Sequence, residues 1–139
     1  FTEVGDTAGV ADIARSRGAA LADFDGDGLL DLAVVNRRAP MRMYRNVTPE
    51  AGRFVRIAVR GAGGNRFAVG ARVIVTVGDA LQSQQITIGG GHAGAVLAPQ
   101  HFGIGDAAEA TVQVRWPDGT QSDPMRMTAG DQITVTQPD

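Results

Sequence analysis

Asp23-Phe24-Asp25-Gly26-Asp27-Gly28-Leu29-Leu30-Asp31, followed at once by Leu32-Ala33-Val34-Val35-Asn36, is the stretch from which this chain is best read. Its carboxylates stand at loop positions 1, 3, 5 and 9. Alternate positions of a tight loop turn their side chains toward one centre, and a hard dication such as Ca²⁺ takes about six to eight oxygens. Gly28, at position 6, permits the sharp turn that brings the backbone carbonyl of Leu29 inward. Two like charges about 4 Å apart cost roughly 4 kcal/mol at an effective dielectric near 20. A bound Ca²⁺ removes that cost and takes the formal charge of −2 to zero. The predicted ligand set is Asp23, Asp25, Asp27, the Leu29 carbonyl and Asp31. The loop is not an EF-hand: position 12 is Val34, which has no carboxylate, and the flanks read as strands instead of helices. Mg²⁺ suits it less well, because it demands strict octahedral geometry and keeps its waters.

Outward from the loop, the pattern is β throughout. Leu32 to Asn36 is short, apolar and β-branched, as a buried strand is. A small-residue run, Gly18 to Ala22, leads into the loop, and residues 1–16 read as loop or a short strand. After a turn at residues 37–40, residues 41–46 read as a second strand. Thr48-Pro49-Glu50-Ala51-Gly52 is the expected domain boundary, giving a unit over 1–50 and another over 51–139. In the second unit, residues 54–60, 72–77 and 111–116 alternate with period two, and residues 133–136 close the chain. A turn at Gly78-Asp79 is expected to lead to a strand over 84–88. Residues 107–110 could form one helical turn, and no longer helix is predicted. Such spacing argues for an antiparallel sandwich or barrel.

The 139 residues include no Cys, which excludes disulfides, thiolate metal sites and a Cys nucleophile. All 13 basic residues are Arg, so lysine Schiff-base and P-loop chemistry are absent. With pI about 5.6, a nucleic-acid partner held by bulk charge is not expected. Residues 80–105 carry no charged side chain, yet Gln82, Gln84, Gln85 and the Gly89-Gly90-Gly91 run make a membrane span a poor fit. The sequence opens at Phe1 without Met and shows no signal peptide, so a processed or excised piece is expected.

These residues resemble known families. Residues 23–36, with the lead-in Phe1-Thr2-Glu3-Val4 and Ala8-Gly9-Val10 and the closing Met43-Tyr44-Arg45-Asn46, resemble an FG-GAP or VCBS-type repeat of calcium-binding β-propellers. Asn65-Arg66-Phe67-Ala68-Val69-Gly70-Ala71-Arg72-Val73, His101-Phe102-Gly103-Ile104-Gly105 and Val114-Arg115-Trp116-Pro117-Asp118-Gly119 resemble the ASPIC/UnbV domain of the cartilage acidic protein and UnbV-like family. The resemblance implies an all-β chain: one propeller-type repeat hairpin with a calcium loop, packed on an antiparallel β-sandwich or barrel. It also implies an extracellular or periplasmic location, while the all-Arg, Ala-rich composition points to a bacterial source. One repeat is far short of the four or more blades of a propeller, and its open edges invite pairing.

The expected function is a non-enzymatic, calcium-binding module for adhesion or protein interaction, with the metal in a structural role. A protein or glycan is its expected partner, and self-association through the open repeat edge is a further expectation. The alternative is a fragment of an enzyme or small-molecule-binding protein of the UnbV type found in enediyne gene clusters, with a pocket lined by His92, His101 and Trp116. Neither histidine has paired metal-ligand spacing. For each the simpler expectation is a turn or loop role, and for Trp116 a place in the core. Arg37, Arg38, Arg42, Arg45, Arg53, Arg56 and Arg60 make the middle of the chain locally basic, as a solvated strand face or an anionic-glycan surface would be.

Overall fold

The computed structural model describes residues 1–89 and 97–138. They form ten β-strands and no helix, in two compact units: residues 1–48 with Gly89, and residues 49–88 with 97–138.

The first unit carries a three-stranded antiparallel sheet of β1 (Ser16–Ala22), β2 (Asp31–Asn36) and β3 (Arg42–Tyr44), in sequence order. The acidic loop is the connection between β1 and β2, whose register runs from Ala22↔Asp31 through Leu21↔Leu32 to Ser16↔Asn36. β3 joins with Leu32↔Tyr44 and Val34↔Arg42. Opposed residues share a face, so Leu21, Leu32, Val34 and Tyr44 lie on one side and Ala20, Ala33, Val35 and Met43 on the other. The sheet is thus apolar on both sides, yet none of its apolar side chains is fully buried. Leu21, Val35 and Met43 are each about half exposed. Among the described residues, every buried apolar side chain belongs to the second unit.

That second unit is a sandwich of two sheets. One holds β10 (Gln132–Thr136), β4 (Arg53–Arg60) and β7 (Gln100–Gly105), in that order; the other holds β6 (Ala80–Gln85), β5 (Arg72–Val77), β8 (Glu109–Arg115) and β9 (Met125–Thr128). Alternation decides the core. Val55 and Ile57 of β4, Val73 and Val75 of β5, Phe102 and Ile104 of β7, Val112 and Val114 of β8, Met127 and Val135 close into one apolar cluster with Trp116. Removing about 25 cal/mol of unfavourable hydration per Å² of apolar surface makes this cluster the main source of stability.

Neither sheet closes into a barrel. The expected antiparallel arrangement also needs one correction, because β10 runs parallel to β4, with Ile133↔Ile57 and Val135↔Val59. The reason is the corner after β9. There the Gly130 N–H donates to the Phe54 carbonyl at 2.7 Å and the Arg56 N–H donates to the Asp131 carbonyl at 3.0 Å, so the chain crosses to the other sheet instead of folding back as a hairpin. The strand expected over 84–88 lies at Ala80–Gln85. The Gly78-Asp79 turn has only two residues and pairs Val77 directly with Ala80. Residues 107–110 form no helical turn: Ala107 closes a turn onto the Ile104 carbonyl, and β8 begins at Glu109.

Candidate metal centre

The loop that joins β1 to β2 folds on its own carboxylates. Asp23 accepts the Gly26 N–H on Oδ1 at 2.7 Å and the Gly28 N–H on Oδ2 at 3.0 Å. Asp25 Oδ1 accepts from Asp27 N–H at 3.2 Å, and Asp27 Oδ1 accepts from Leu29 N–H at 2.9 Å. The last two are Asx turns, in which a short acidic side chain takes the place of a backbone acceptor two residues on, and Asp23 reaches farther, to the N–H groups three and five residues ahead. Gly28 sits at φ +92°, a conformation that favours glycine and that lets the chain reverse beneath the carboxylates. As a result Asp23, Asp25 and Asp27 each bring one carboxylate oxygen within 4.8 Å of the other two. The donor set is all oxygen and anionic, which suits a hard cation such as Ca²⁺ over a softer metal.

Asp31 stands apart from that group. It is buried, at 3% exposure, and opens β2. Its Oδ2 accepts the Phe24 N–H at 3.1 Å and its Oδ1 the Asn46 N–H at 2.8 Å. Asp31 therefore ties the start of the loop to the chain just beyond β3. Asn46 strengthens the tie by donating from Nδ2 to the Leu30 carbonyl at 3.2 Å. Leu29 is held through its N–H on Asp27.

Arg45 also belongs to the loop, although its position in the sequence does not announce it. Its Nε lies 2.6 Å from Asp25 Oδ2 and its Nη2 3.0 Å from Asp27 Oδ2. The Leu29 N–H is the main cause of an Asp27 carboxyl held below its ordinary range, and the hydrogen bond and charge of Arg45 add to it. In turn Asp27 and Asp25 hold the guanidinium even more firmly charged. Only the hairpin register brings Arg45 here. Leu32 faces Tyr44, so the next residue along the chain falls beside the loop.

His92 lies outside the described residues. His101, on β7 opposite Arg56, stacks its ring on Phe54 with centroids 5.1 Å apart and planes 14° from parallel. Phe102 beside it points into the core, so His101 is on the outer face of the sheet. Trp116 is 2% exposed and packs in the core. Of the arginines singled out above, Arg42 pairs with Asp12 at 3.2 Å, and Arg37 and Arg38 line an open cleft of about 430 Å³ with Arg15, Ile13 and Ala14.

Comparison with known proteins bears mostly on the second unit. Residues 61–139, over half the chain, match the family model described as ASPIC and UnbV. The chain is 32% identical over 109 residues to cartilage acidic protein 1 of Mus musculus, an alignment covering 76% of this chain and 17% of that protein. It is likewise 32% identical to cartilage acidic protein 1 of Homo sapiens, covering 76% of this chain and 16% of the human protein. The chain thus spans about a sixth of the length of these relatives.

Proposed function

The chain belongs to the ASPIC and UnbV family, and from that premise we propose that it is a non-enzymatic, β-rich interaction module whose acidic loop takes up calcium in a structural role. In this reading residues 1–50 are an FG-GAP or VCBS-type repeat, the module works in an exported, extracellular or periplasmic setting, and its partner is a protein or glycan. One observation carries the reading. Three carboxylates converge within 4.8 Å in the loop that joins two strands of a sheet with no fully buried apolar side chain. A small unit with so little core among its described residues needs a staple, and a dication held by oxygens is one. Asp23, Asp25 and Asp27 would hold the ion, with the Leu29 carbonyl and Asp31 completing the proposed set. What the ion supplies is charge neutralisation and loop closure. No helix among the described residues is long and apolar enough to cross a membrane.

The test is thermal. A ligand that binds only the folded state stabilises by about 2.7 kcal/mol at a hundredfold excess over Kd, which moves the melting of a small unit by roughly 10 °C or more. We expect the transition of the first unit to rise by that order in millimolar calcium relative to EGTA. In Asp25→Asn we expect the rise to vanish. Superimposable melting curves in calcium and in EGTA would reject the reading. The alternative, a small-molecule site of UnbV type at His92, His101 and Trp116, draws no comparable support, since Trp116 is spent on the core.

A further inference from the structure

Resting on the calcium reading above, we propose that Arg45 is the loop's own counter-cation: it stabilises the metal-free loop and thereby weakens calcium uptake. Among the described residues, the loop's N–H groups reach four carboxylate oxygens of Asp23, Asp25 and Asp27. The guanidinium takes the other two, Oδ2 of Asp25 and Oδ2 of Asp27. It therefore stands on two of the three carboxylates that converge, the groups a dication would also have to use. The Arg45 side chain is 63% exposed and fastened at that end by the two aspartates, so it has room to swing clear.

The sign of the effect follows from linkage. Without metal, Arg45 relieves part of the repulsion between carboxylates through its two ion pairs, 2.6 Å to Asp25 and 3.0 Å to Asp27. With calcium bound, the same guanidinium either leaves its partners or sits beside a dication that repels it. In both cases it favours the metal-free state over the bound one. A group that does so lowers affinity by the same factor. Removing its charge should thus act in opposite directions on two observables: the metal-free protein loses stability, and calcium binds more tightly. A side chain that merely braced the loop would weaken both together.

The experiment compares the full chain with Arg45→Gln and Arg45→Lys. Calcium titration calorimetry is run on chelator-stripped protein, and melting is followed in EGTA. We expect Arg45→Gln to bind calcium about threefold to tenfold more tightly, the scale of one or two exposed ion pairs, and to melt earlier in EGTA. Arg45→Lys, which keeps the charge, should fall between Arg45→Gln and the parent. Equal or weaker affinity in Arg45→Gln, or unchanged melting in EGTA, overturns it while leaving the calcium reading intact. Absence of calcium binding in all three proteins overturns both.

Discussion

At the scale of single residues, a local constraint in the second unit is centred on Asn65. Its side-chain amide grips Val69 from both ends: Oδ1 accepts the Val69 N–H and Nδ2 donates to the Val69 carbonyl, each at 3.0 Å. Within that ring Ala68 is held fully buried at φ +51°, a conformation that costs a non-glycine residue about 1–2 kcal/mol. The amide grip is what offsets the strain. Gly61 lies directly beneath, where an added Cβ would collide with the Asn65 carbonyl oxygen and press on the Ala68 backbone. We therefore expect Asn65→Ala to cost about 1–3 kcal/mol, the loss of two hydrogen bonds, and Gly61→Ala to cost at least as much. Urea denaturation checks both, and a variant of either kind with parental stability would remove the Asn65 corner from this account. Trp116, 2% exposed, contributes by packing within the core cluster.

At the scale of elements, the exposed edge of the sandwich is dressed by a strand that pattern-reading misplaces. Every residue of β6 is exposed, so it shows no apolar alternation, and only the two-residue turn before it reveals where it starts. Its glutamines have a task. Gln82 Nε2 donates to the Gly103 carbonyl at 2.7 Å and Gln84 Nε2 to the His101 carbonyl at 3.0 Å, so two acceptors of the edge strand β7 are capped from the other sheet. Uncapped edge carbonyls are templates for pairing with another chain. Replacing both glutamines with alanine should raise concentration-dependent association, seen as a growing dimer fraction in sedimentation. A strictly monomeric double variant would show that these amides do not guard the edge. The strongly alternating β4, β5 and β8 were legible because they bury one face in a real core. β1 and β9 were not, since Ser-Arg-Gly-Ala and Met-Arg-Met-Thr carry little β preference and pair because of their neighbours. The acidic loop follows the same rule. The grouping of Asp23, Asp25 and Asp27 is local and readable from spacing, whereas the parts played by Asp31, Arg45 and Asn46 depend on the register of β2 with β3.

At the scale of the whole molecule, the charge pattern sets a direction for pH. Asp118 is held below its ordinary range chiefly by the Thr120 hydroxyl and N–H, with Gln137 helping, and Asp27 by the Leu29 N–H and Arg45. A carboxyl whose folded pKa is depressed contributes stability above its unfolded value, near 3.9, and loses that contribution as pH falls through the folded value. Melting temperature should therefore be level from about pH 7 to 5 and decline below about pH 4. Asp118→Asn, which cannot titrate, should decline less, and thermal scans from pH 7 to pH 3 read both. A melting temperature that held to pH 3 would mean that these local bonds carry no net stability. On the proposed calcium reading, acid would also release the ion, because the proposed ligands are the same kind of group.

All of this returns to whether the aspartates between β1 and β2 take up a hard dication. Isothermal titration of calcium into chelator-stripped, folded protein measures that directly. We expect saturable binding at one site per chain, lost in Asp25→Asn. A flat titration of well-folded protein, or binding that survives Asp25→Asn unchanged, would contradict it.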